Sequence, residues 1–115
     1  MKRLPIYFIL LISLTVKAQI TVTSISNTGA GSLYDAINQI ATSGGTINFD
    51  ASLAGTINIT SGFPNITSSI TMNGNGRANT IIDGGGVSSR MFSVSGSGNL
   101  TINSMTLKNN GNQYS

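Results

Sequence analysis

The sequence predicts an all-β protein, a parallel β-helix of about three coils of 22–23 residues with an amphipathic capping helix at its N-terminal end. Apolar positions recur at this interval, the residues around them alternate between apolar and polar, and glycine-rich turns separate the segments. The recurring positions form three rows: Ile47, Ile70 and Phe92; Phe49, Met72 and Val94; Ile59, Ile82 and Met105. An antiparallel sandwich, the alternative, would not require one position to be apolar in every repeat.

Residues 1–18 have the order of a secretory signal peptide. Lys2 and Arg3 precede an apolar run over residues 4–16, and Val16 and Ala18 fit a signal-peptidase site. The run is shorter than the roughly 20 residues that a spanning helix needs. We therefore predict cleavage after Ala18 and a secreted or cell-surface protein; a retained membrane anchor is the alternative.

After the predicted cleavage site the chain is neutral and rich in hydrogen-bonding side chains. The remaining charges are three cations and three anions: Arg77, Arg90, Lys108, Asp35, Asp50 and Asp83. Three scattered cations form no basic stripe, which argues against a nucleic-acid partner. The chain has no cysteine, so stability depends on stacking and not on disulfides. Outward Asn and Thr rows can hydrogen-bond up such a stack.

Residues 19–45 predict a first strand followed by the capping helix. Residues 19–25 alternate as a strand does, and a turn follows at residues 27–31. Ser32 is the expected N-cap of a helix over residues 32–42, whose apolar residues recur at helical spacing. The first coil of a β-helix exposes its strand edge and apolar interior, so we expect this helix to cover that end. A helix that binds a partner is the alternative, and residues 46–115 form the coils.

An ordered set of segments carries a family resemblance, at residues 31–37, 47–50, 55–59, 70–74, 89–92 and 100–102. Together these segments resemble the N-terminal region of exported bacterial right-handed β-helix proteins. These are the pectin-lyase-like repeat proteins, which include polymorphic outer-membrane-protein and adhesin types. The resemblance covers about Thr21 to Lys108; Tyr34 departs from it, standing where that family usually has a basic residue. It implies right-handed coils and further coils after residue 115, where the chain stops in mid-coil.

The residues predict no catalytic, cofactor-binding or metal-binding site. The chain has no His, Cys or Glu. One 23-residue period after Asp50 is Asn73, and one before Asp83 is Thr60, so the two aspartates fall on different rows and are expected to be turn residues, not a glycosidase pair. A single carboxylate per corner also disfavours calcium. Arg90 could capture an acidic sugar, but a solvated guanidinium is the preferred interpretation.

The function we predict is that of a non-enzymatic secreted or cell-surface β-helix, an adhesin- or stalk-like module that contacts extracellular polysaccharide or cell-surface glycans. The alternative is the N-terminal part of a polysaccharide lyase or glycoside hydrolase whose active site lies beyond residue 115. The fold serves both, and the scarcity of charged residues favours the first. An ice-binding face would need outward Thr-x-Thr in successive coils, and only Thr21-Val22-Thr23 has it.

Overall fold

Seven short strands and one helix make up the part of the chain that the structure describes. The structure is a computed structural model, and it describes residues 17–60, 62–85 and 91–109. The elements in chain order are β1 (Ala18–Val22), α1 (Leu33–Ile40), β2 (Gly45–Phe49), β3 (Gly55–Asn58), β4 (Ser69–Asn73), β5 (Thr80–Asp83), β6 (Asn99–Asn103) and β7 (Thr106–Lys108). Nearly all of the predicted signal peptide lies outside the described residues.

The strands form two parallel sheets between which the chain alternates. The first sheet has the order β1-β2-β4-β6 and the second has the order β3-β5-β7. Every pairing is parallel, and a third side of the coil is marked by an isolated bridge between Ile66 and Val94. This arrangement is a β-solenoid of about three turns, which confirms the predicted all-β, parallel coiled architecture.

The register differs from the predicted rows by two residues. Ile47 pairs with Met72, which follows it by 25 residues, and Ile57 pairs with Ile82 at the same interval. Ile70 lies between Gly45 and Leu100, and not between Ile47 and Phe92. The first two predicted rows, which began at Ile47 and at Phe49, are therefore wrong.

The third predicted row is wrong as well. Ile59 follows β3, and its backbone N–H donates to the carbonyl of Asp83 at 2.9 Å, one residue beyond the expected partner Ile82. Val94 belongs to the third side of the coil, where it pairs with Ile66. The interval is not constant either, because Met72 pairs with Ile102, 30 residues further on.

The inward and outward assignments survive the change of register. Strand side chains alternate between the two faces, so a shift of two residues leaves every side chain on its predicted face. Ile47, Ile70 and Met72 are all buried, whereas Thr71 between the last two is partly exposed. The apolar interior is continuous through the coils and includes Val22, Ile57, Ile59, Phe63, Ile66, Ile82, Met91 and Met105.

Close backbone approach explains why the register takes this value. Gly45 begins β2, pairs with Ala18 in the preceding coil and has a φ of +151°. A Cβ at this position would collide with the carbonyl oxygen of Ala18. A glycine is therefore required where β1 and β2 approach, and it places Ile20 beside Ile47 two residues later.

The predicted helix is confirmed, two residues shorter than expected at its C-terminal end. Ser32 is the N-cap, and its Oγ accepts a hydrogen bond from the backbone N–H of Asp35 at 3.1 Å. The apolar stripe of α1, formed by Leu33, Ala36, Ile37 and Ile40, is buried. It packs against β1 and β2 in the same core as the coils, which agrees with a covering role at the N-terminal end.

Candidate functional site: the outward polar columns

A column of asparagines runs up the outside of the first sheet. Asn48, Asn73 and Asn103 are register partners in β2, β4 and β6. The Nδ2 of Asn73 donates to the Oδ1 of Asn48 at 3.2 Å, and the Nδ2 of Asn103 donates to the Oδ1 of Asn73 at 3.0 Å. The central amide thus uses one N–H and one lone pair along the column and keeps one of each for an outside partner.

A column of threonines runs parallel to the asparagines. Thr46, Thr71 and Thr101 are also register partners, each two residues before an asparagine. Strand alternation puts both columns on one face, at a spacing of about 4.8 Å between strands and about 6.6 Å along each strand. We call these six residues the Thr–Asn face: Thr46, Asn48, Thr71, Asn73, Thr101 and Asn103. Gln19 and Thr21 of β1 extend it by one further row.

The first sheet carries no charged residue in any of its four described strands. The Thr–Asn face therefore presents only hydroxyl and amide groups to solvent. It is also without aromatic side chains, because the one aromatic residue of these strands, Phe49, is buried. Such a surface can donate and accept hydrogen bonds but has no means of attracting a charged partner over a distance.

The outside of the second sheet is chemically mixed. Asn58, Asp83 and Lys108 are register partners there. Lys108 Nζ and Asp83 Oδ2 are 3.9 Å apart, and about half of the Lys108 side chain is exposed. An exposed pair at this distance contributes little to stability. The two sheets thus offer a neutral face and a charged face.

Asp50 lies in the corner after β2. Its Oδ1 accepts from the backbone N–H of Ser52 at 2.9 Å and from the Ser52 hydroxyl at 2.8 Å. These bonds, the backbone one first, hold the pKa of Asp50 below its usual value. Its neighbour in the next coil is Asn75, whose Nδ2 donates to the Asp50 carbonyl at 2.8 Å; the sequence-based expectation of Asn73 was wrong by the same two residues.

Asp83 ends β5 and binds its own corner. Its Oδ1 accepts from Asn109 Nδ2 at 2.9 Å and from the Gly85 backbone N–H at 2.8 Å. The Asn109 bond, then the Gly85 bond and more weakly Lys108, lower the pKa of Asp83. Its partner in the previous coil is Asn58 and not the expected Thr60. Because a glycosidase general acid needs a raised pKa, neither this aspartate nor Asp50 has the right environment.

Three further features bear on possible chemistry. Arg90 lies outside the described residues. Within residues 17–60, 62–85 and 91–109, no group of three or more His, Cys, Asp or Glu residues could hold a metal ion. The same residues contain no helix that is long and apolar enough to cross a membrane.

The specific columns were missed by sequence reasoning, which expected Asn and Thr rows in general but did not locate them. The signal was the recurring tripeptide Thr-x-Asn with an apolar central residue, at residues 46–48, 71–73 and 101–103. The intervals of 25 and 30 residues between these tripeptides match the strand register. The 22–23-residue spacing of the apolar rows obscured it.

Comparison with known proteins leaves the class of the fold as the firm statement. No family model, curated protein or solved structure matches the chain. The class is that of a mostly β solenoid with parallel sheets, about three turns and one short helix.

Proposed function

We propose that the protein is a non-enzymatic, secreted or cell-surface β-helix, an adhesin- or stalk-like module that contacts extracellular polysaccharide or cell-surface glycans. The observation that carries this proposal is the use of polar side chains to join successive coils on the outside of the stack. Besides the asparagine column, Asn65 donates to Ser95 Oγ and accepts from Ser93 Oγ, each at 2.9 Å, on the third side of the coil. Such a surface is both a continuous support and a source of hydrogen bonds for sugar hydroxyls.

The positions of the two aspartates support a non-enzymatic role for the described coils. Asp50 and Asp83 lie at the ends of strands in different sheets, and each carboxylate is engaged by its own corner. An acid and base pair needs two carboxyl groups that face one substrate bond. The two aspartates are therefore corner residues that stabilise turns.

The family assignment within this proposal is a right-handed, pectin-lyase-like β-helix of the adhesin type. The ordered segments from residue 31 to residue 102 support the family. The handedness is supported by general physics, since about 98% of crossovers between parallel strands in one sheet are right-handed.

Export by a signal peptide cleaved after Ala18 is the second part of the proposal. The charged start, the apolar run and the small residues before Gln19 support it. Mass spectrometry of secreted or surface material would test it: we expect Gln19 as the first residue. Recovery of a mature chain that begins at Met1 would overturn this part.

Further coils stacked on the last strands are the third part. Val94 and Leu107 in the last coil are each more than two-fifths exposed, and β6 and β7 are the last strands of their sheets in the described chain. Edge strands of this kind can pair with another strand. A further coil would cover these side chains and continue both sheets.

The test of the function is a polysaccharide-binding assay run in parallel with an assay for released sugar. We expect the purified chain to bind at least one polysaccharide of an array without cleaving it. Asp50→Asn and Asp83→Asn should leave binding unchanged, because asparagine keeps the Oδ1 that accepts the corner bonds. Cleavage that these two substitutions abolish would refute the non-enzymatic proposal.

A further inference from the structure

The Thr–Asn face is a two-dimensional array with a regular repeat in both directions. Its three rows lie on hydrogen-bonded parallel strands in strict register, and each row holds a hydroxyl and an amide two residues apart. The repeat is about 4.8 Å across the strands and about 6.6 Å along them. A ligand that binds all six side chains together must have a similar repeat in two directions.

The array is also rigid before any ligand arrives. The backbone of β4 is held by β2 on one side and β6 on the other. The amide of Asn73 is fixed in orientation by its bonds to Asn48 and Asn103. Binding would therefore require little further ordering of the strands or of this amide, and preorganisation of this kind increases affinity.

The chemistry of the face narrows the class of ligand. The described strands of the first sheet carry no charge, which disfavours nucleic acid, acidic polysaccharide and anionic lipid. No exposed aromatic ring is available on these strands for stacking. What remains is a neutral ligand that both donates and accepts hydrogen bonds at every repeat.

We propose that the Thr–Asn face binds ice. Each water molecule in ice donates and accepts hydrogen bonds, and the oxygen atoms form rows that repeat in two directions at distances close to those of the face. Waters bound to the threonine hydroxyls and to the free N–H and lone pair of Asn73 are held at the strand spacing and can join the ice lattice. Thr-x-Thr was too narrow a requirement, because an asparagine amide offers the same donor and acceptor as a hydroxyl.

This inference goes beyond the proposed function and does not rest on it. The test is retention in ice: a dilute solution of the full chain is frozen slowly around a cooled probe, and protein in the ice is compared with protein in the remaining liquid. The parent should enter the ice, whereas an inert protein such as serum albumin should stay in the liquid. Inhibition of ice recrystallisation is the second measurement.

Thr71→Tyr is the variant that tests the face. Tyrosine suits a strand, but its ring would project from the centre of the array and prevent contact with a flat lattice. Thr56→Tyr makes the same change on the outside of β3 in the second sheet and is the matched control. Thr101→Tyr, on the exposed strand β6, is a second variant should Thr71→Tyr fail to fold, as judged by circular dichroism.

We expect loss of ice retention to the level of serum albumin for the folded variant of the first sheet, and full retention for Thr56→Tyr. Exclusion of the folded parent from ice would overturn the inference, as would equal losses in the two sheets. A third arm measures binding of cellohexaose. Binding that Thr71→Tyr abolishes, without ice retention by the parent, would assign the face to neutral sugars, which refutes ice binding and supports the proposed glycan contact.

Discussion

The side-chain amide of Asn73 donates a hydrogen bond to the Oδ1 of Asn48 at 3.2 Å, 25 residues earlier in the chain. The same side chain accepts from Asn103 at 3.0 Å, 30 residues later. One residue therefore links three coils whose spacing in sequence is unequal. Its position, and not a constant repeat length, is what the coils have in common on this face.

Asn73→Ala should destabilise the protein by about 1–3 kcal/mol, since it removes two hydrogen bonds that are each worth about 0.5–1.5 kcal/mol. Asn58→Ala is the control, because Asn58 is exposed on the second sheet and should change stability by no more than about 0.5 kcal/mol. Urea unfolding followed by circular dichroism measures both. Equal effects would mean that the column contributes nothing specific.

Engineered disulfides should distinguish the observed register from the predicted one. Asn48 and Asn73 are register partners, and adjacent strands are about 4.8 Å apart, within the range that a disulfide spans. The double variant Asn48→Cys/Asn73→Cys should therefore oxidise readily. Asn48→Cys/Thr71→Cys, which pairs residues 23 apart, places the Cα atoms about 8 Å apart on the diagonal and should stay reduced.

The native chain has no cysteine, so non-reducing mass spectrometry reads out each pair without interference. Faster oxidation of the second pair would mean that the 23-residue register is correct.

Ser32→Ala should lower stability by about 1 kcal/mol through loss of the N-cap. The Oγ of Ser32 accepts from the Asp35 backbone and donates to the Gly29 carbonyl at 2.7 Å, and its side chain is buried. Ser26→Ala, at an exposed position in the same loop, is the control and should have almost no effect. A thermal melt measures both.

Deletion of residues 31–42 is the stronger change at the same end. It would uncover Ile47 and the edge of the first sheet together, so we expect self-association. Light scattering that shows a monomer as stable as the parent would mean that α1 is not a cover, and the partner-binding alternative would then be preferred.

Stability should fall in acid as Asp50 and Asp83 take up protons. The pKa of each is lowered in the folded state from the ordinary value of 3.8, so the folded protein binds protons less readily than the unfolded chain. The stabilisation is present above pH 3.8 and is lost as the pH falls through the folded pKa values. The double variant Asp50→Asn/Asp83→Asn should show a flatter melting temperature over this acidic range, and an unchanged pH profile would refute the assignment.

The sequence alone determined the features that depend on local pattern. Alternation placed Ile47, Ile70 and Met72 inside, and the spacing after Ser32 located the helix. Both patterns concern residues within a few positions of one another, whose side-chain directions follow from strand and helix geometry. The turn roles of Asp50 and Asp83 were accessible for the same reason.

Only the tertiary structure decided which coil position meets which. A shift of two residues preserves every inward and outward side chain, so alternation could not separate Ile47–Ile70 from Ile47–Met72. The choice depends on contacts between distant residues, above all the approach of Gly45 to Ala18, where a side chain would collide with the backbone. That register brings Asn48, Asn73 and Asn103 into one column and so creates the Thr–Asn face.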